Sequence, residues 1–430
     1  MTTCQTTNSK DKKKYLLALL VSFSNVVCLI PYMASDYYNQ FISCYGMTDG
    51  QLGWLLSAFG AAAIPGYFIG GWVADVFNAK KLVVFSCIGT SVIGIIVANC
   101  SSFSLLAFLF FLFGITGVVT YWSAFLKVVK MLGNDDVQGK LFALTDIGYA
   151  VMSILLQYTV VGIMTYVLRD NPEGFKVAYY IYAGFGILIG ILIWFLVPNV
   201  EYKKDVEGGL KENVKLMGYA LKNPITWYLA VFTLGYFLIR SVLPTYVNPY
   251  LTDAFGVSVA VATLFTGTAR QLCLLVFSPV GGILRDKMGK KSSKLINYFA
   301  IGCIVFSVGL AFVPQVSKYA VIIMILYILA LSFNGNLSNF LYTLVANAGV
   351  PLLYVGSVFG VASAIGYSSD LWLYNVCGSL LDSFGNDAYR YIMLIAALGG
   401  VLVLAMGYIV DKKYGIDAPV KNAEVPEKTE

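Results

Sequence analysis

Gly71-Trp72-Val73-Ala74-Asp75-Val76-Phe77-Asn78-Ala79-Lys80-Lys81 is answered, half a chain later, by Gly282-Ile283-Leu284-Arg285-Asp286-Lys287-Met288-Gly289-Lys290-Lys291. The leading glycines and the aspartates of the two segments share one offset, 211 residues in a chain of 430. Each segment follows an apolar run ending in a double glycine, Gly70-Gly71 and Gly281-Gly282, and leads through a pair of lysines into another apolar run. A half-length repeat of this kind in an apolar chain implies two related helical bundles.

Outward from these two loops, apolar stretches fall at 15–42, 50–74, 81–99, 103–130, 138–167, 177–197, 225–250, 257–284, 293–313, 318–344, 353–380 and 388–410. A hydrocarbon core of about 30 Å needs roughly 20 apolar residues per crossing. Backbone polar groups in lipid must be satisfied within the segment, which favours helices over open strands. The expected fold class is therefore an all-α integral membrane protein. Its twelve transmembrane helices form two six-helix pseudo-symmetric bundles, at 15–197 and 223–412. Residues 1–14, the polar linker 198–222 and the tail 413–430 are read as cytoplasmic.

The composition agrees. Hydrophobic residues make up 58% and charged residues 12%, against about 25% charged in soluble domains, so no separate catalytic domain is hidden in the chain. The net charge of +6 does not point to nucleic acid, because the basic residues sit in short loops between apolar runs. With the N-terminus inside, 23 of the 29 lysines and arginines fall on cytoplasmic segments, and only Arg169, Lys176, Lys318 and Arg390 fall outside. That asymmetry predicts both termini cytoplasmic in a plasma (inner) membrane. Lys10, Lys12, Lys13 and Lys14 precede an apolar run that continues past Pro31, which reads as a retained first helix rather than a cleaved signal. The chain has no histidine, and its eight cysteines show no CxxC spacing, so no metal and no cofactor is expected. Cys44 and Cys100 alone fall where a pair at the outer face is conceivable, with free thiols the ordinary case. No nucleophile–base pair stands out, so the protein is not read as an enzyme.

The two loops resemble the GxxxDRxGRR/K signature that the major facilitator superfamily carries once in each half. The second copy is close to full; the first has Val76 in place of a basic residue and Asn78 in place of glycine. The resemblance implies that Asp75 and Asp286, with Lys80, Lys81, Lys290 and Lys291, latch the cytoplasmic side in the outward-open state. The segment Tyr121-Trp-Ser-Ala-Phe-Leu-Lys127-Val-Val-Lys130-Met-Leu-Gly133, Gln138-Gly-Lys140, and Gly366-Tyr-Ser-Ser-Asp370, are similar to YihN-type bacterial transporters. Those lie near the organophosphate and oxalate–formate antiporter branch, which implies small organic anions as substrates. The glycine-rich motif that drug exporters carry in helix 5 is absent from 146–162.

Ionisable side chains deep in a bilayer are costly and mark functional positions by default. There are six: Asp36, Lys127, Asp146, Arg240, Arg270 and Asp370. Three are positive and three negative, so complete internal pairing is the alternative at every site. Equal depth in helices 4 and 5 suggests a gating or structural pair between Lys127 and Asp146. Arg270 falls at the midplane of helix 8, where a permanently charged planar fork matches carboxylate or phosphate oxygens. Arg240 in helix 7 is the second candidate for substrate charge. Asp370, at similar depth, is read as a coupling residue paired with Arg240 in the empty state, and Asp36 as a second coupling candidate. Tyr32, Trp122, Tyr236 and Tyr367 fall at depths where aromatic side chains line a central site, and Asn336 belongs to an unusually polar run, Asn334–Asn339.

These readings converge on a secondary active transporter. It moves a small organic anion, a carboxylate or a phosphorylated or sulfonated metabolite, by alternating access, coupled to protons or to anion exchange. The partners expected are substrate, protons and the lipid bilayer, with the chain acting as a monomer. A facilitator of a neutral polar solute such as a sugar or nucleoside, and a transporter-like receptor, are the rival readings.

Overall fold

The computed structural model describes residues 3–133, 135–199, 217–288, 292–348 and 350–414. Among them there are helices and short connections and no strand. Twelve long helical segments follow one another. α1 is in three pieces, Thr3–Val27, Met33–Asp36 and Tyr38–Tyr45. α2 is Asp49–Val76, α3 Ala79–Ala98, α4 Phe103–Met131 and α5 Asp135–Gly162 continuing through Ile163–Val167. α6 is Phe175–Leu196, α7 Pro224–Asp253, α8 Val259–Met288, α9 Ser292–Phe312 and α10 Ala320–Asn347. α11 is in two pieces, Leu352–Gly366 and Ser369–Phe384, and α12 is Ala388–Tyr414.

Nine helical runs among the described residues are long and apolar enough to cross a membrane, and ten if bent α2 counts as one. The last run, Ser357–Val410, is 54 residues long and spans most of α11 and α12. α1 stands outside that set because its first turns are polar and its apolar stretch is divided.

The interruptions have local causes. α2 opens on a complete capping box, Thr48 Oγ1 accepting from Gln51 N while the Gln51 side chain accepts from Thr48 N. It bends by 61° between Asp49–Tyr67 and Ile69–Val76, just past Pro65, which cannot complete the helical ladder. α4 contains a π-helical turn at Ile115–Val119. α7 carries Pro244 and Pro249 in its interior, and α8 carries Pro279.

The chain divides into two compact units. Unit 1 takes the described residues of Met1–Asp205, Pro244–Leu275 and Asp370–Ala388; unit 2 takes those of Val206–Leu243, Val276–Ser369 and Tyr389–Glu430. The division runs through α7, α8 and α11. The core of unit 1 is an aromatic file: Tyr37 on Phe175 at 5.7 Å, Phe41 on Phe110 at 6.2 Å and Phe175 on Tyr179 at 5.6 Å. In unit 2, Phe333 meets Phe299 at 5.8 Å and Phe306 at 5.2 Å. There α7 and α12 touch through bare backbone, a Cβ at either Gly235 or Gly399 falling 2.5 Å from the other's carbonyl oxygen. Cys44 and Cys100 are free thiols.

Candidate functional site

The break in α1 positions the first charge. Tyr37 leaves helical geometry (φ −114°, ψ 47°) and separates Met33–Asp36 from Tyr38–Tyr45, so Asp36 stands at the end of a short helical piece. Its backbone carbonyl accepts a hydrogen bond from Asn248 Nδ2 at 3.1 Å. Asn248 is fully buried and precedes Pro249 in α7.

α8 presents Thr263, Gly267 and Arg270 at i, i+4 and i+7, one face of a helix. Each does something different within unit 1. Thr263 Oγ1 accepts from Gln40 Nε2 at 3.0 Å and Asn248 Nδ2 at 3.3 Å, while its carbonyl accepts from Gln157 Nε2 at 2.9 Å. Gly267 makes room for that glutamine, since a Cβ there would lie 2.1 Å from Gln157 Nε2. Arg270 grips Asp36 with both prongs, Nη1 to Oδ1 at 2.7 Å and Nη2 to Oδ2 at 2.9 Å. The Arg270 side chain is 21% accessible and that of Asp36 13%, so the pair is half-buried rather than sealed.

Tyr37 and Tyr182 bring their hydroxyls within 3.4 Å of each other. Gln271 Nε2 reaches Tyr149 Oη at 3.4 Å on the adjoining face. Arg270 and Asp36, set apart in sequence as an anion ligand and a coupling residue, are thus brought together. The other members of the cluster are apolar-span residues that hydropathy does not single out. Gln157 and Asn248 are polar amides inside long apolar helices, which is the one sequence signal they offer.

Unit 2 gathers a second set. Arg240 is exposed, with its guanidinium 6.0 Å from the Phe237 ring centroid and Nη1 3.5 Å from Tyr236 Oη. Phe237 meets Tyr367 edge-on at 4.1 Å, and the carbonyl of Tyr236 accepts from Asn334 Nδ2 at 3.3 Å. A guanidinium above an aromatic face keeps its charge while losing part of its hydration. Asn336 sits deeper, its Nδ2 donating to Ser332 O at 2.6 Å and its side chain against Gly281.

Other positions named from sequence make contacts of their own. Tyr32 packs edge-on against Phe59 at 5.1 Å. Trp122 is 48% exposed and stacks on Phe125. Asp370 is buried in unit 1, in the first turn after the break in α11. The expected Lys127–Asp146 pair is not the one formed. Lys127 Nζ bonds Asp75 Oδ1 at 3.1 Å and the carbonyl of Ala74 at 2.9 Å, linking α4 to α2, and Asp146 is exposed. Equal depth on two helices does not set the face each side chain occupies. Lys80 lies 5.7 Å from the Trp194 ring centroid, and Lys81 is exposed. Asn78, the departure from glycine, caps α3 by accepting from Lys81 N. Lys290, Lys291, the Asp286 side chain, most of the linker and the tail lie outside the described residues.

Long apolar helices, broken beside Asp36 and Asp370, define the class as an integral membrane protein. The sequence profile of the Major Facilitator Superfamily matches residues 15–371. The chain belongs to that family and is a multi-pass membrane transporter. It is 27% identical over 401 residues to the Escherichia coli inner membrane protein YqcE, covering 91% of this chain and 93% of that one. It is 26% identical over 409 residues to the E. coli inner membrane protein YihN, covering 92% and 95%. Among solved structures it matches a point mutant of the nucleoside transporter NupG with a TM-score of 0.73 at 14% identity, covering 92% of this chain and 99% of that one.

Proposed function

We propose that the protein is a secondary transporter of a small organic anion, and that Arg270 is where the substrate's charge is held. The observation that carries this reading is the two-pronged grip of Arg270 on the Asp36 carboxylate, at 2.7 and 2.9 Å with both side chains partly accessible. A fork that already fits one carboxylate fits another of the same shape. Substrate binding then displaces Asp36 from Arg270, and the freed carboxylate takes a proton or turns away. The release of Asp36 couples substrate to proton or to the movement of α1, whose break lies at Tyr37. An incoming phosphate or sulfonate meets the same guanidinium fork with two of its tetrahedrally placed oxygens. Arg240, set over Phe237 beside Tyr236, is the candidate cation of unit 2. Alternating access moves the two six-helix bundles, 15–197 and 223–412, about the substrate, with both termini on the cytoplasmic side.

The rival reading is a neutral solute such as a nucleoside or sugar, with Asp36–Arg270 a purely structural pair. Thermal unfolding of the purified protein against formate, lactate, succinate, glycerol 3-phosphate, uridine and glucose separates the two. A bound ligand at about 100 times its Kd stabilises by roughly 2.7 kcal/mol, which is readily measured. The anion reading expects stabilisation by a carboxylate or phosphate that disappears in Arg270→Gln. Stabilisation by uridine or glucose that persists in Arg270→Gln overturns it.

A further inference from the structure

Asp36 is tied to α8 at two points. Its carboxylate sits on Arg270, and its backbone carbonyl reaches the same helix through Asn248. Asn248 Nδ2 donates to Asp36 O at 3.1 Å and to Thr263 Oγ1 at 3.3 Å. Thr263 and Arg270 stand two turns apart on one face of α8, about 10 Å along its axis. The piece of α1 beyond the break returns to the same hydroxyl, Gln40 Nε2 donating to Thr263 Oγ1 at 3.0 Å. Both pieces of α1 are therefore referred to one side chain of α8, and the bend at Tyr37 (φ −114°, ψ 47°) is held from outside the helix that bends. Gln157 fixes that anchor in turn, its Nε2 donating to the Thr263 carbonyl at 2.9 Å.

The orientation of the Asn248 amide tells which of its contacts decides. The residue is fully buried, yet its Oδ1 has no hydrogen-bond partner among the described residues. Turning the amide over would offer that oxygen the Thr263 hydroxyl as a donor. It would also set the oxygen against the carbonyl of Asp36, which can only accept. An idle buried acceptor is costly. The cluster carries that cost and keeps a donor on Asp36 O.

We infer that Asn248 is a positioning residue for transport. It holds the backbone of Asp36 so that the carboxylate stays seated on Arg270, and so sets how strongly this resident anion competes with substrate. Asn248 touches no substrate in doing so. The two tethers support each other, because a held carbonyl keeps the carboxylate at high effective concentration beside the fork. This role rests on the reading of Arg270 as the holder of the substrate's charge. Its signature is a change of unusual sign: loss of a buried hydrogen bond should tighten the binding of an anion.

Thermal unfolding of purified protein in nanodiscs reads both sides of this role. Asn248→Leu keeps the volume of the side chain and removes its donor; Asp36→Asn removes the carboxylate. Without ligand, the two losses in melting temperature should be less than additive in the double variant, since both act on one pair. Acetate, lactate and glycerol 3-phosphate are then titrated at constant ionic strength. Asn248→Leu should lower the half-effect concentration of a binding anion about fivefold, the value of one hydrogen bond. It should add nothing in the Asp36→Asn background. Asn248→Ser, smaller and keeping one donor, should fall between wild type and Asn248→Leu in both readouts. Additive losses in the ligand-free set overturn the role. So does an anion titration left unchanged or weakened by Asn248→Leu and Asn248→Ser while Asp36→Asn tightens it. If the losses are less than additive and no anion stabilises any variant, the positioning of Asp36 stands and the substrate reading alone falls.

Discussion

Asp36→Asn keeps the shape of the side chain and removes its charge, so Arg270 loses the anion it grips at 2.7 and 2.9 Å. Stripping the partner from a fully buried ion costs about 3–5 kcal/mol. Here 21% of the arginine side chain and 13% of the aspartate are accessible. Solvent therefore screens part of the loss, and about 2 kcal/mol is expected. The ligand-free variant should melt below wild type. An incoming carboxylate, however, no longer has to displace a resident one. The competitor was worth up to about 2 kcal/mol, or thirtyfold in affinity, of which a freely tumbling anion recovers about tenfold. The assay is thermal unfolding of purified wild type and Asp36→Asn with acetate, lactate and glycerol 3-phosphate titrated at constant ionic strength. The half-effect concentration of at least one anion should fall about tenfold in the variant. Equal melting of the ligand-free proteins together with unchanged titrations would refute the idea that Asp36 and substrate compete for one guanidinium.

Three further outcomes follow from the contacts. Gly267→Ala forces a Cβ to within 2.1 Å of Gln157 Nε2 and should destabilise by about 1–3 kcal/mol; Gln157→Ala in the same chain should restore part of the melting temperature, and no recovery would mean that the clash lies elsewhere. Lys127→Ala breaks a pair whose aspartate, Asp75, is 62% exposed, so the loss should stay below about 1 kcal/mol, and a melting curve far below wild type would contradict it. Tyr236→Phe removes the hydroxyl 3.5 Å from Arg240 Nη1 but leaves the backbone bond from Asn334. Stability should change by less than about 1 kcal/mol, while any anion-dependent stabilisation weakens if Arg240 touches substrate.

Much of the architecture was legible because membrane crossing is written in length and apolarity. The loops around Asp75 and Asp286 resemble the family's signature, and the family match over residues 15–371 bears that resemblance out. Depth in an apolar run also singled out Arg270 and Asp36 as charges of interest. Their pairing was not legible, because it joins residues 234 positions apart and depends on which way two helices face. The same limit sent Lys127 to Asp146 on paper and to Asp75 in the structure. Hydropathy sums also pass over the break at Tyr37, which aims Asp36, and over Asn248, which holds its carbonyl. Spacing does carry one further element: Gly50, Gly53, Ser57 and Gly60 recur at steps of three, four and three, a small-residue face on α2.

The contact between Gly235 and Gly399 bears on how this sequence can change over generations. At position 267 a route exists, because Gln157 can shrink first and open the space for a later side chain. Between α7 and α12 no such order is available. Each glycine's own backbone oxygen occupies the place where the other's Cβ would go, so no side-chain replacement at one position frees room at the other. Only a shift of a whole helix would release the constraint, and that must be made in one step against every other contact the helix holds. Descendants of this chain should therefore drift at 157 and 267 as a pair while 235 and 399 remain glycine.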